Sequence, residues 1–242
     1  MGVIRSAQRL SGSAFESTQN GCKFDAIRIY GKIALALLLE IHPDTPQERL
    51  LTKVVECLQD GGVIIYPTDT VYGIGCNIHK ARAVERVCQI KGIKPEKSNF
   101  SLICYDLSHL SDYTRHVSTP VYKVMRKALP GPFTFILEAN SSVPKIFKHK
   151  KNTVGIRIPD NKIVREIVRL LENPILSSSV KDDDGLIEYT TDPELIYEKY
   201  KDQVDIVING GYGHNEASTI VDCSHGEFEI IRQGLGDLNL FL

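Results

Sequence analysis

Between residues 45 and 62 the apolar positions follow a helical period: Leu50, Leu51, Val54, Val55 and Leu58 recur at i, i+4 and i+8, with polar residues between them. Thr45-Pro46-Gln47-Glu48 reads as the start, with Thr45 as N-cap, Pro46 at the first helical position and Glu48 placed to close a capping box. Gly61-Gly62 stops the run. The pattern then changes, because Val63-Ile64-Ile65-Tyr66 is continuously apolar up to Pro67, which predicts a buried strand. A second helix is expected at 79–91, where Ala81, Val84, Val87 and Cys88 share a face. Further apolar runs bounded by Pro or Gly predict strands at 100–104, 133–137, 154–158, 204–208, 219–221 and 228–231. Helices are expected at 119–129, 161–171 and 192–200, with Pro120 and Pro193 in their first turns after Thr119 and Asp192. Strands interleaved with helices imply an α/β protein with a sheet of mixed direction.

Residues 1–38 carry no sustained period and are rich in Ser, Gly, Asn and Gln until the apolar run at 33–39. They are expected to be an N-terminal extension to one domain at 39–242. That apolar run is only seven residues long, against roughly 20 for a membrane-spanning helix, so no membrane partner is expected. The net charge of −1 excludes attraction to nucleic acid by the whole molecule, and any anion site must be local. Six scattered cysteines without a CxxC pair fit buried thiols in a reduced, cytoplasmic setting.

Several segments offer chemistry. Pro67-Thr68-Asp69-Thr70-Val71-Tyr72-Gly73-Ile74-Gly75 ends a strand with hydroxyls, a carboxylate and glycines, which suits either a polar ligand at a sheet end or a Thr/Asp-stabilised turn. Lys91, Lys94 and Lys97 form either a phosphate clamp or compensation of a helix dipole. Lys145, Lys148, Lys150 and Lys151 are a cationic stretch without acids, suited to phosphate or to a solvated loop. Arg157 differs from these. In the apolar strand Val154-Gly-Ile-Arg-Ile-Pro159 it must reach solvent or meet an anion, since burying it unpaired is costly. Ser177-Ser178-Ser179 after Pro174-Ile-Leu176 is either an anion-receiving loop or a plain serine-rich one. Asp182-Asp183-Asp184 would need Mg²⁺ to accept a triphosphate, and otherwise is an exposed acidic loop.

Taken in order, five segments resemble the YrdC/YciO family: Tyr66-Pro-Thr-Asp-Thr-Val-Tyr-Gly-Ile-Gly75, Pro130-Gly-Pro-Phe-Thr134, Val154-Gly-Ile-Arg-Ile-Pro159, Pro174-Ile-Leu-Ser-Ser-Ser179, and Ser218-Thr-Ile-Val-Asp222 with Ile231-Arg-Gln-Gly234. Ile41-His-Pro-Asp-Thr-Pro-Gln47 and Asn209-Gly-Gly-Tyr212 are most similar to its YciO branch. The resemblance implies a twisted mixed sheet with flanking helices around a large basic cleft, the YrdC/RibB-like fold. It implies binding of a nucleotide such as ATP, or of double-stranded RNA or tRNA without DNA sequence specificity. The alternative it offers is L-threonylcarbamoyladenylate synthesis from ATP with Mg²⁺, L-threonine and bicarbonate, serving transfer-RNA modification. By this resemblance Thr68, Thr70, Tyr72 and Ser218 line the amino-acid side, while Arg157, Ser177, Ser179 and Arg232 meet carboxylate or phosphate. Two motifs depart from the synthases. Lys91-Gly-Ile-Lys94-Pro95 stands in place of Lys-x-Arg before Pro, and Ser179-Val180-Lys181 in place of Ser-x-Asn, with Lys181 as a mobile substitute for the lost amide.

Overall fold

The expected apolar runs become strands and further segments join them, giving ten among the described residues: β1 (Leu37–Glu40), β2 (Val63–Tyr66), β3 (Gly73–Asn77), β4 (Ser101–Ile103), β5 (Phe133–Glu138), β6 (Thr153–Arg157), β7 (Ile175–Ser179), β8 (Ile206–Asn209), β9 (Thr219–Asp222) and β10 (Glu229–Arg232). They join one sheet in the order β1-β8-β2-β3-β7-β4-β6-β5-β9-β10. Direction is mixed: β1/β8, β2/β8, β4/β6 and β5/β9 are parallel, and the remaining pairs antiparallel. The computed structural model describes residues 35–94, 100–144, 152–180 and 191–241. The compact unit that contains the sheet runs from Ile33 to Leu242.

Among the described residues, the helices that flank the sheet are α1 (Glu48–Gln59), α2 (Ala81–Ile90), α3 (Leu110–Tyr113), α4 (Thr119–Ala128), α5 (Lys162–Leu171) and α6 (Pro193–Tyr200). Strand alternation sorts the core into two layers. On one face Ile65, Ile74, Leu102, Ile156 and Leu176 pack with α2, α3, α4 and α6 through Val84, Val87, Leu110, Met125 and Ile196. On the other, Ile64, Tyr66, Ile103, Ile175 and Ile206 pack under α1 and α5 through Val54, Leu58, Ile163 and Ile167. Each fully buried aliphatic side chain contributes about 1.5–3 kcal/mol, so both layers are needed to hold a sheet this wide.

Local chemistry shifts several expected boundaries. The capping box at Thr45 does not form, and α1 starts at Glu48 with Gln47 as N-cap. The cause is His42, whose Nδ1 accepts from the Asp44 and Thr45 amides at 3.2 Å and folds 42–45 into a turn of its own. Asp192 does cap its helix, accepting from the Glu194 amide at 2.9 Å. β1 begins at Leu37, so the sheet takes in the last residues of the stretch read as an extension, of which residues 1–34 lie outside the described residues. No helix among the described residues is long and apolar enough to cross a membrane.

Candidate functional site

On the α1/α5 face the sheet changes character across its width. Beyond Ile64 and Tyr66, that face carries Gly73 and Gly75 of β3, Ser177 and Ser179 of β7, Ser101 of β4, Gly155 and Arg157 of β6 and Thr134 of β5, interspersed with Ile103, Ile175 and Ile136. Small and polar groups thus gather toward the Arg157 end of the face, where they leave a floor of glycines and serines. β3 was expected to be part of a turn. Its glycines are ladder residues instead, because the Tyr66 ring lies over them: a Cβ on Gly73 would come 2.9 Å from Tyr66 Cζ. Ser177 and Ser179 were read as a loop and lie within β7, where Ser177 sits between Gly75 and Ser101 and Ser179 is opposite Gly73.

Arg157 projects from the end of β6 onto this face and is 9% exposed. Its Nη2 donates to Asp69 Oδ1 (2.6 Å), Thr70 Oγ1 (2.6 Å) and Thr68 Oγ1 (3.0 Å). The anion required by its burial is therefore Asp69, whose second oxygen accepts from the Asp160 amide at 3.0 Å. Thr68 spends its hydrogen on the Val71 carbonyl (2.7 Å) and accepts from the Thr70 amide (3.0 Å), which closes the turn. Thr70 keeps a hydroxyl hydrogen for Thr68 or for a ligand. Arg157 Nε is buried and has no partner among the described residues.

Arg232 joins from β10. Its Nε and Nη2 both donate to the Ser218 carbonyl, at 3.2 and 2.8 Å, and the Ser218 hydroxyl lies 2.9 Å from that of Thr134. Burial, and then the charge of Arg157, hold the Arg232 guanidinium below its ordinary pKa. Two cations thus share one neighbourhood.

The remaining candidates divide. Tyr66, given no site role from the sequence, donates to Ser177 Oγ at 2.5 Å, and burial pushes its phenol up. Tyr72 is buried with its hydroxyl already engaged, donating to the Gly211 carbonyl (2.6 Å) and accepting from the Gly210 amide (3.3 Å). It buttresses a loop. Its phenol is raised to about 12, chiefly by burial. Lys91 and Lys94 follow α2, which packs on the face opposite Arg157, so the structure does not gather them with this group. Lys181, Lys97, the cationic stretch 145–151 and Asp182 to Asp184 lie outside the described residues. No cluster of three His, Cys, Asp or Glu side chains among the described residues could hold a metal. Two cavities, of about 100 and 370 Å³, lie around α3 and the start of α4, and no residue of the Arg157 group lines them.

A family model for Sua5, YciO and YrdC proteins, described as "Telomere recombination", matches residues 56–234. This chain belongs to the Sua5/YciO/YrdC family. It is 40% identical over 204 residues to the uncharacterized protein YciO of Escherichia coli, covering 84% of this chain and 97% of that one. The YciO crystal structure superposes with a TM-score of 0.80, 38% identity and coverage of 86% and 100%. Sua5 of P. abyssi complexed with L-threonine shares the fold at a TM-score of 0.75 and 22% identity, over 82% of this chain and 58% of Sua5. HypF in a phosphate- and nucleotide-bound form does so at 0.61 and 20%, over 76% of this chain and 29% of HypF. The mixed α/β fold expected from the family motifs is the fold observed.

Proposed function

We propose that this chain binds a nucleotide, holding phosphate oxygens between Arg157 and Arg232 above the glycine and serine floor. One observation carries the reading: Arg157 is a buried guanidinium on the same sheet face as Arg232, with Nη2 held by Asp69, Thr68 and Thr70 and its Nε turned to no acceptor among the described residues. Asp69 balances one positive charge, and a buried Arg157 Nε still lacks an acceptor. An anionic oxygen there would accept charge-assisted hydrogen bonds and separate the two cations. The reading is in keeping with HypF, a phosphate- and nucleotide-bound protein that contains this fold in 29% of its chain. Mg²⁺ would enter with the triphosphate as its counter-ion.

Calorimetric titration with ATP, ADP and tripolyphosphate tests this. Saturable binding is expected, weakened about tenfold in Arg232→Ala by loss of one charge-assisted contact. No binding of any of the three by the native protein sinks the reading.

A second reading adds chemistry and is favoured by the Thr70 hydroxyl on Arg157, by Ser218, whose carbonyl holds Arg232 and whose hydroxyl lies by Thr134, and by the L-threonine complex of Sua5, which shares this fold over 58% of its chain. Bicarbonate would convert the amine of threonine to a carbamate with loss of water. The carbamate oxygen would attack the α-phosphorus of ATP, the bond to the β-phosphate oxygen would break, and pyrophosphate would leave. The protein's part is to position the two substrates and to neutralise charge on the departing pyrophosphate. Pyrophosphate release that requires both threonine and bicarbonate is the expected result. Release no greater than in buffer removes this reading and leaves nucleotide binding standing.

A further inference from the structure

Tyr212 is 81% exposed, the highest value for a large hydrophobic side chain among the described residues. The loop that carries it is held firmly. Tyr72 donates to the Gly211 carbonyl, the Gly213 amide donates to Thr191 O (2.8 Å), and the His214 amide donates to Thr70 O (3.0 Å). Gly210 lies so close to Pro67 that a Cβ would come 2.7 Å from its ring, and a Cβ on Gly213 would come 2.9 Å from the ring of Tyr72. Both ends of the loop are therefore tied to the turn that carries Thr68 and Thr70.

From Tyr212 to the cation site the connection is short: His214, two residues on, bonds Thr70, and Thr70 accepts from Arg157 at 2.6 Å. A rigid loop that keeps an aromatic ring in water beside an anion site has the ordering cost of a stacking contact already met. Resting on the nucleotide reading above, we propose that Tyr212 is the platform on which the base of the bound nucleotide stacks. Stacking uses the π-face that every base has, so the residue confers affinity for a base without choosing among bases.

The native protein, Tyr212→Ala and Tyr212→Phe are each titrated with ATP, GTP and tripolyphosphate. The alanine variant should bind ATP and GTP about ten- to a hundredfold more weakly and tripolyphosphate unchanged, with phenylalanine restoring native affinity. Unchanged ATP affinity in Tyr212→Ala, or an equal loss for tripolyphosphate, overturns the assignment and spares the nucleotide reading. Native protein that binds neither ATP nor tripolyphosphate overturns both.

Discussion

Arg157 and Asp69 form an ion pair at 2.6 Å with both side chains one-tenth exposed. Removing one member leaves the other charge buried and uncompensated, so Arg157→Ala should cost about 3–5 kcal/mol of stability. Adding Asp69→Ala removes the orphaned charge, and the double variant should be more stable than the sum of the single losses implies. Urea unfolding of the three variants measures this, and strict additivity would show that the pair is not coupled.

Tyr66 and Ser177 offer a second cycle. Tyr66→Phe should cost about 0.5–1.5 kcal/mol as the buried hydrogen bond is lost. Because Tyr66 donates to Ser177, the serine's own hydrogen remains for a ligand, so Tyr66→Phe should also weaken tripolyphosphate binding. Titration of that variant at unchanged fold, checked by circular dichroism, decides whether Tyr66 orients Ser177 or only fills the core.

Gly75→Ala should destabilise by about 1–3 kcal/mol, because the new methyl is driven into the Leu176 carbonyl and to 2.7 Å from Ile175 Cγ2. Gly155→Ala meets Ser101 Cβ at 3.2 Å and Thr134 Cγ2 at 3.3 Å, milder contacts that displacements of a few tenths of an ångström relieve. Its unfolding midpoint should fall less than that of Gly75→Ala, and the reverse order would contradict the packing described for β3.

Alkaline pH should unfold the protein for a definite reason. Burial raises the thiols of Cys57, Cys76, Cys104 and Cys223 from 9.0 to about 12. Above pH 9 the unfolded chain therefore releases protons that the folded chain keeps, and stability falls as pH rises. Their contribution is fully present below 9 and is lost between 9 and about 12, at up to roughly 1.4 kcal/mol per pH unit for each group. Urea midpoints should be insensitive to these thiols from pH 7 to 8.5 and should decline beyond 9. A midpoint unchanged from pH 8.5 to 10.5 would contradict the burial of these thiols.

Much of this architecture is legible in the chain. Apolar runs and proline positions mark most strands and helices, because burial on both faces of a sheet needs continuous aliphatic residues. Arg157 stands out for the opposite reason, as a charge in such a run. Less legible is whatever depends on a distant neighbour. Gly73-Ile74-Gly75 looks like a turn until the Tyr66 ring is seen above it, and Ser177 to Ser179 look like a loop until β3 and β4 pair with them. Whether Lys91 and Lys94 clamp a phosphate or only compensate a helix dipole is equally illegible, because sequence does not say which face of the sheet a helix covers. Thr45 fails as a cap because His42 holds the segment before the helix, a competition no capping motif encodes.

Determining a crystal structure of the protein soaked with ATP tests the shared anion site most directly. A phosphate oxygen within hydrogen-bond reach of Arg157 Nε and of the Arg232 guanidinium is the expected result. Nucleotide bound elsewhere, with both guanidiniums keeping only the partners they have now, would contradict it.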